Sequence, residues 1–245
     1  MKTLGIIPAR YQSSRFPGKV LAKIHEKTIL QRVHEQVLKA GLDEVVVATD
    51  HQSIFDHVGE FGGKVLMTDT THATGTERCA AALNQMDQTF DIAINIQADE
   101  PFIDPSQIQL LGDAFQEDDS GIATLIQPIS DPDDLYSPNV VKVVKNNNDK
   151  ALLFSRTTIP YLRDVKLAQW ISHHTFYAHL GIYAYRTEVL KSIINLPPSP
   201  LEQAESLEQL RWLENGYDIK VVESSGTGLS IDTPKDLEKA RQIAR

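Results

Sequence analysis

Three basic side chains lie in one short loop near the N-terminus of the chain: Arg10, Arg15 and Lys19. The loop follows the apolar run at residues 4–7 and is rich in Ser, Gly and Pro, which are residues typical of turns. No Asp or Glu occurs in residues 1–25, although the whole chain carries a formal net charge of −9. A basic loop at the end of a first strand suits a ligand that carries several phosphates.

The spacing of the loop excludes two common phosphate-binding motifs. A P-loop needs Gly and Ser or Thr at the positions that Ser13 and Val20 occupy here. The dinucleotide-binding motif G-x-G-x-x-G does not follow the first predicted strand either. Two interpretations stay open from the loop alone: a phosphate site of another kind, and a surface turn with solvated charges.

Two carboxylates each follow a predicted strand. Asp99 stands in the segment Gln97-Ala98-Asp99-Glu100-Pro101, and Asp232 precedes Thr233-Pro234. Ligands of open α/β sheets bind beyond the carboxyl ends of strands, and carboxylates there suit Mg²⁺. The alternatives are turn chemistry for Asp99 and a helix cap for Asp232. Thr233 is the better cap, however, because Asp236 completes a capping box with it.

Composition is typical of a soluble globular protein of 245 residues, with 41% hydrophobic and 23% charged residues. No apolar run is long enough to span a bilayer, and the first apolar segment is too short for a secretory signal. The single cysteine, Cys79, cannot form an internal disulfide, which favours a reducing compartment. The acidic balance argues against nucleic acid. We therefore predict a cytoplasmic protein without nucleic-acid or membrane partners.

Strand-like and helical patterns alternate along most of the chain, which predicts an α/β fold around a mixed, mainly parallel sheet flanked by helices. The middle differs, because short strand-like runs separated by tight turns predict an antiparallel extension at about residues 130–195. The pattern also predicts one helix from residue 199 to about 215 and a short strand at 229–231. We expect a single domain over residues 1–245.

Motifs in a fixed order along the whole chain carry a resemblance to a known family. They include Ile7-Pro8-Ala9-Arg10-Tyr11, Phe16-Pro17-Gly18-Lys19, Gly75-Thr76-Glu77-Arg78, Gln97-Ala98-Asp99-Glu100-Pro101, Pro138-Asn139-Val140-Val141-Lys142, His179-Leu180-Gly181-Ile182-Tyr183 and Asp232-Thr233-Pro234. With these motifs the chain resembles the 3-deoxy-manno-octulosonate cytidylyltransferases, or CMP-Kdo synthetases, in which Kdo is 3-deoxy-D-manno-octulosonate.

The resemblance implies a Rossmann-like nucleotidyltransferase fold and a reaction. CMP passes from CTP to the anomeric hydroxyl of Kdo, which gives CMP-Kdo and pyrophosphate for lipopolysaccharide biosynthesis. It also implies Mg²⁺ as cofactor and a homodimer whose contact involves the antiparallel extension. Metal activation of the attacking hydroxyl would make a dedicated general base unnecessary.

The resemblance further implies roles for individual residues. Lys19, Asp99 and Asp232 are expected to be catalytic, and the two carboxylates are expected to hold the metal. The expected CTP-binding residues are Pro8, Ala9, Arg10, Arg15, Lys19, Ala73, Thr74, Gly75 and Arg78. The expected sugar-binding residues are Gln97, Arg163, His179, Tyr183, Glu208 and Gln209.

One position departs from the family pattern. Ala98 stands where the family has glycine, and alanine does not readily adopt a positive φ. If the family glycine only provides room, the extra methyl group is tolerated. Three alternative functions stay open: a cytidylyltransferase for 8-amino-Kdo or sialic acid, a non-catalytic nucleotide-binding homologue, and a glycosyltransferase that uses a nucleotide sugar.

Overall fold

The computed structural model describes residues 1–13, 15–116, 119–226 and 229–244. Strands are numbered in chain order: β1 Thr3–Ala9, β2 Lys23–Ile24, β3 Lys27–Thr28, β4 Glu44–Thr49, β5 Val65–Met67, β6 Ile92–Asn95, β7 Ile122–Pro128, β8 Lys142–Lys145, β9 Ala151–Ser155, β10 Tyr177–Arg186 and β11 Ile219–Glu223. The helices are α1 Ile29–Leu38, α2 Gln52–Glu60, α3 Gly75–Asn84, α4 Pro105–Asp113, α5 Pro132–Tyr136, α6 Trp170–His173, α7 Thr187–Ile193, α8 Pro200–Glu205, α9 Glu208–Glu214 and α10 Pro234–Ile243. Short 3₁₀ turns lie at Lys19–Leu21 and Leu167–Gln169.

The chain divides into two compact units. The first comprises Met1–Gly112, Ala184–Ile194 and Gly226–Arg245, and the second comprises Asp113–Tyr183 and Asn195–Ser225. The sequence-based expectation of one domain over 1–245 stays a prediction.

The first unit is built on parallel strands in the order β6-β1-β4-β5. Ile6 of β1 lies opposite Val46 of β4 and Asn95 of β6, and this register brings the carboxyl ends of the strands to one edge. The strands are apolar on both faces, as expected for a parallel sheet covered by helices. Helix α3 contacts β1, β4 and β6, while α1 and α2 contact β4. This unit confirms the α/β prediction.

The second unit contains the antiparallel part of the fold. Its strands follow the order β11-β7-β10-β8-β9, in which β11 and β7 are parallel and the pairs β10–β8 and β8–β9 are antiparallel. A cluster of buried side chains packs beside them around Trp170 and Phe176, whose rings are stacked 5.9 Å apart. The antiparallel strands predicted from the middle of the chain are therefore present.

The predicted single helix over residues 199–215 is wrong, because the chain forms α8 and α9 with a break between them. Ser206 has a left-handed φ of 52° at the break. The cause lies outside the helix: the Glu205 carboxylate accepts hydrogen bonds from Ser155 Oγ at 2.6 Å and from the Arg156 backbone N at 2.9 Å. The Arg156 guanidinium in turn donates to the Glu205 carbonyl at 2.7 Å. These bonds fix the end of α8 and let α9 start in a new direction.

The predicted strand at residues 229–231 is also wrong, because these residues have no strand partner within the described ranges. Ile231 is buried and its backbone N donates to the Asp99 carbonyl at 2.9 Å. The apolar character of this segment therefore reflects a buried link to Asp99. No helix in the described ranges combines the length and the apolar character that a membrane span needs.

Candidate active site

The basic loop after β1 is anchored at both of its ends. Gly18 has a φ of 69°, and its backbone N donates to the Tyr11 carbonyl at 2.8 Å. A Cβ at this position would lie 3.2 Å from the Tyr11 ring, so glycine suits both the backbone and the available space. The Tyr11 ring stacks on His51 with centroids 4.1 Å apart. The loop is therefore tied to the first unit at its base while Arg15 stays exposed.

Asp99 and Asp232 are brought together by the backbone that carries them. Asp99 follows β6, and the hydrogen bond from Ile231 N to the Asp99 carbonyl places the residue before Asp232 against it. Thr233 and Asp236 form the predicted capping box at the start of α10. Since Thr233 supplies the cap, the Asp232 carboxylate is available for another partner, as the sequence indicated.

That partner is Lys19, whose ammonium group lies between the two carboxylates. Lys19 Nζ donates to Asp99 Oδ2 at 2.6 Å and to Asp232 Oδ1 at 2.9 Å. Arg15 Nη2 lies 3.0 Å from Asp232 Oδ2. Burial by itself would lower the pKa of Lys19, but the charge of Asp99 and the hydrogen bonds to both carboxylates outweigh it, so the pKa is raised. Lys19 is therefore fully charged at neutral pH.

A cavity of about 510 Å³ surrounds these charges, a size within the usual range of small-molecule sites. It brings together seven residues that the sequence singled out: Pro8, Arg10, Arg15, Lys19, Gln97, Asp99 and Asp232. It also includes Gln12, Ser13, Val20 and Ala98, which sequence reasoning did not name as ligand-binding residues. Each of these four lies within two positions of a predicted site residue in the chain, and this proximity was the available signal.

Ala98 fits the turn that presents Asp99. It is buried, and it is not among the described residues that have a positive φ. The turn therefore does not require glycine for its backbone conformation. The methyl group adds apolar surface to the cavity wall and leaves Asp99 in contact with Lys19.

Glu100 is a neighbouring residue that sequence reasoning missed. Burial and the nearby charge of Asp99 raise the pKa of Glu100 to about 7. A carboxyl that is partly neutral at pH 7 adds less negative charge beside Asp99 than an ordinary glutamate. Its position directly after Asp99 was the only sequence signal.

The turn at residues 73–75, which is predicted to bind CTP, lies close to β1. Arg10 Nη1 donates to the Ala73 carbonyl at 3.3 Å, and a Cβ on Gly75 would lie 3.5 Å from Pro8 Cγ. Thr74 caps α3 in a capping box with Glu77, which confirms the predicted start of that helix. The Ala9 side chain, in contrast, is fully buried within β1 and faces the core.

Arg78, which the resemblance predicts as a CTP-binding residue, is buried, and its role in binding CTP stays a prediction. Its side chain is 3% exposed, and Nη2 forms an ion pair with Asp50 at 2.7 Å. Nη1 donates to Thr68 Oγ1 at 2.6 Å. Arg78 is not among the residues that line the cavity. Its contacts link α3 to the segments after β4 and β5, so the structure gives it a role in holding the turn at residues 73–75.

Two of the predicted sugar-binding residues lie in an aromatic cluster of the second unit. The His179 ring lies 5.3 Å from Tyr183 and 5.0 Å from Phe154, and Tyr183 lies 5.2 Å from Trp212. His179 keeps some exposed surface, but the enclosure of its ring lowers the pKa to about 3. The imidazole is therefore neutral at physiological pH.

The other predicted sugar-binding residues of the second unit differ in exposure. Glu208 and Gln209 form the first turn of α9, where Gln209 is buried and Glu208 is half-buried. The Arg163 side chain is 90% exposed and lies 3.5 Å from Asp164, the residue that follows it. The ring contacts that join His179 to Tyr183 do not include Arg163.

Residues 4–220 match the family model described as Cytidylyltransferase. A 3-deoxy-manno-octulosonate cytidylyltransferase from Parabacteroides distasonis is 53% identical, and the match covers 98% of this chain and 97% of that protein. One from Bacteroides thetaiotaomicron is 51% identical, with 100% and 99% covered.

Solved structures of nucleotidyltransferases also resemble this chain. A structure described as CMP:2-keto-3-deoxy-manno-octonic acid synthetase complexed with CTP is 42% identical, with a TM-score of 0.92 and coverage of 100% of this chain and 98% of that one. A putative glucose-1-phosphate thymidylyltransferase from Bacillus anthracis is 20% identical, with a TM-score of 0.66 and coverage of 99% and 95%. The second match shows only the shared nucleotidyltransferase fold.

The ion pair between Arg78 and Asp50 leads to a prediction about stability. Asp50→Ala leaves a buried guanidinium without its carboxylate, and we expect the free energy of unfolding to fall by about 3 kcal/mol. Urea denaturation measures this loss. The matched control is Glu238→Ala, which removes the carboxylate of the exposed pair with Arg241 and is expected to cost less than about 1 kcal/mol. Equal effects of the two substitutions would contradict the structural role of Arg78.

Proposed function

Because this chain belongs to the 3-deoxy-manno-octulosonate cytidylyltransferases of the cytidylyltransferase family, we propose that it transfers CMP from CTP to Kdo. The oxygen of the anomeric 2-hydroxyl of Kdo forms a bond to the α-phosphorus of CTP. The bond from that phosphorus to the oxygen of the β-phosphate breaks, and pyrophosphate leaves. The hydroxyl proton passes to solvent water as the new bond forms. The products are CMP-Kdo and pyrophosphate.

One observation in the site carries the proposal: three cationic side chains and two carboxylates meet in a single cavity. Phosphoryl and nucleotidyl transfer depend mainly on alignment of the reactants and on stabilisation of charge. A triphosphate requires the cations, and the carboxylates suit a divalent ion. This combination accounts for a basic loop in an acidic protein.

We assign the triphosphate to Arg10, Arg15 and Lys19. Lys19 is held by Asp99 and Asp232, and its raised pKa keeps the ammonium group charged for contact with phosphate oxygens. Arg15 is 65% exposed at the side chain, so it can approach a ligand without breaking a packed core. Fixed positive charge near the leaving pyrophosphate stabilises the transition state. Pro8 and the turn at residues 73–75 are assigned to the cytosine base.

We assign Mg²⁺ to Asp99 and Asp232. The donor set fits this ion, because both carboxylates already share one cationic group, the Lys19 ammonium, and Mg²⁺ takes one or two carboxylates with phosphate oxygens and waters. No group of three or more His, Cys, Asp or Glu side chains suited to a metal occurs in the described part of the chain, so two protein ligands are proposed. When bound, Mg²⁺ supplies charge neutralisation for the phosphates and acidifies the attacking hydroxyl.

We propose Gln97, which lines the cavity of the first unit, as a sugar-binding residue. The other proposed sugar-binding residues belong to the second unit. His179 and Tyr183 offer polar atoms within an aromatic surface, and Glu208 and Gln209 lie at the start of α9. Arg163 is the proposed partner of the Kdo carboxylate, because its guanidinium is exposed and charged.

Pyrophosphate release tests the function directly. The protein is incubated with CTP and Mg²⁺, and Kdo, 8-amino-Kdo or sialic acid is added separately. We expect release with Kdo and a much lower kcat/KM with the other two acids. Preference for another acid would support the first alternative function, and no release with any of them would indicate a non-catalytic homologue. Omission of the sugar is the control.

Asp99→Asn gives a sharper test of the site. The substitution keeps the shape of the side chain but removes a charge from the group that faces Lys19. We expect kcat to fall by at least about 100-fold, the usual effect of losing one electrostatic contact to a transition state. Thermal unfolding is expected to change little. The matched control Asp87→Asn alters an exposed carboxylate outside the cavity, and it should retain full activity. Near-normal turnover of Asp99→Asn would refute its role.

We further propose that the protein is a cytoplasmic homodimer. The second unit exposes large apolar side chains, with Leu152 at 61%, Tyr161 at 77% and Leu167 at 59%. Exposed apolar surface of this kind is typical of contacts between proteins. Sedimentation equilibrium is expected to give twice the mass of 27.3 kDa, and a monomer mass would contradict the proposal.

A further inference from the structure

Among the described residues, the imidazole side chain of His179 on β10 has one hydrogen-bond partner, the hydroxyl of Thr124 on β7. The distance from His179 Nε2 to Thr124 Oγ1 is 3.0 Å. The same hydroxyl oxygen lies 2.7 Å from the Ile182 carbonyl oxygen and 3.2 Å from that of Leu180. Thr124 is fully buried, so water does not replace any of these contacts. Sequence analysis did not single out Thr124.

The number of protons in this group of atoms fixes the direction of each hydrogen bond. A threonine hydroxyl has one proton to donate and two lone pairs that accept, whereas a carbonyl oxygen only accepts. The 2.7 Å contact with the Ile182 carbonyl is a normal O–H···O distance and requires the Thr124 proton. Without that proton, the lone pairs of Thr124 Oγ1 and of the Ile182 carbonyl oxygen would face each other in a buried place. The proton in the contact between His179 and Thr124 must therefore come from His179 Nε2.

The other ring nitrogen of His179 then has a defined chemical character. The ring is neutral, because burial lowers the pKa of His179 to about 3. A neutral imidazole carries one proton, and when that proton is on Nε2 the Nδ1 atom has a free lone pair. Nδ1 has no hydrogen-bond partner among the described residues. His179 therefore offers an acceptor to an outside group, and it cannot offer a second donor.

We propose that Thr124 is a positioning residue, which holds His179 in the Nε2-protonated form so that Nδ1 accepts a hydrogen bond from a sugar hydroxyl. The assignment to a sugar rests on the proposed function. A carboxylate has no proton to donate at neutral pH, so His179 does not bind the carboxylate of the acid substrate. The specificity that His179 provides is for a hydroxyl at one position of the sugar.

The tautomer is measured directly by NMR on the full-length protein labelled with ¹⁵N. Long-range correlations from the ring C–H protons distinguish a protonated nitrogen from one with a free lone pair, and His179→Gln identifies the His179 signals among the 8 histidines. We expect Nε2 to be protonated and Nδ1 to be unprotonated in the ligand-free protein. Protonation on Nδ1 in the wild type would overturn the proposal without any variant being needed.

Substitutions at Thr124 test whether its hydroxyl sets the tautomer of His179. Thr124→Val keeps the shape but removes the hydroxyl, and we expect the His179 signals to become a mixture of both tautomers. Thr124→Ser keeps the hydroxyl and is expected to restore the wild-type spectrum. Thr158→Val is the matched control, because it also removes a hydroxyl that donates to a carbonyl, that of Leu135, in the same unit. A wild-type tautomer in Thr124→Val would show that Thr124 does not set it.

Kinetics test the link to the sugar. We expect Thr124→Val to raise KM for Kdo by roughly threefold to tenfold, the effect of weakening one neutral hydrogen bond, with kcat within about twofold of wild type. Thr124→Ser and Thr158→Val should keep the wild-type KM. Kdo analogues that each lack one hydroxyl identify the donor, because one of them should show no difference in KM between wild type and Thr124→Val.

The hydroxyl assignment and the proposed function are contradicted by different results. If wild type turns over Kdo but every deoxy analogue still distinguishes wild type from Thr124→Val, the hydroxyl assignment is wrong. If wild type releases no pyrophosphate with Kdo, the proposed function is wrong and the assignment to a Kdo hydroxyl falls with it. The NMR result decides the tautomer in either case.

Discussion

The first unit depends on one ammonium group placed between two carboxylates. Lys19, Asp99 and Asp232 are far apart in the chain, and each is attached to a different element of the fold. Two carboxylates in one cavity repel each other, and the positive charge of Lys19 between them offsets this repulsion. Because the side chains of Lys19 and Asp99 are only 12% and 20% exposed, water screens these charges weakly. In the function proposed above, the same two carboxylates would bind a divalent ion once phosphate oxygens contact Lys19.

Rigid local structure makes that contact possible. The hydrogen bond from Ile231 N to the Asp99 carbonyl fixes the spacing of the two acidic segments, and the capping box of α10 leaves Asp232 available. At the other side, Gly18 and Tyr11 close the base of the basic loop. The charged atoms therefore meet because backbone hydrogen bonds and packing hold their elements, rather than because ion pairs pull a flexible chain together.

Sequence reasoning succeeded where the signal was local and failed where a distant partner decided the outcome. The caps at Thr74 and Thr233, the strand before Asp99 and the basic loop could all be predicted, because a few adjacent residues specify them. The break between α8 and α9 could not, since Ser155 and Arg156 impose it on Glu205 from about fifty positions away. The ion pair between Arg78 and Asp50 could not be predicted either, since the two residues are 28 positions apart, and the CTP-binding role of Arg78 stays a prediction.

The two units differ in the kind of polar group that they offer, and this difference suits the substrates proposed for them. A triphosphate carries several negative charges, so the first unit supplies cations and keeps Lys19 charged by surrounding it with carboxylates. A sugar presents mainly neutral hydroxyls, and the burial that keeps His179 uncharged suits them, because a neutral acceptor discriminates by the direction of a hydrogen bond. Positive charge attracts any polyanion. The lone pair on His179 Nδ1 instead requires a ligand with a hydrogen-bond donor at one position. Discrimination between related sugar acids should therefore depend on neutral groups such as His179 more than on the basic loop.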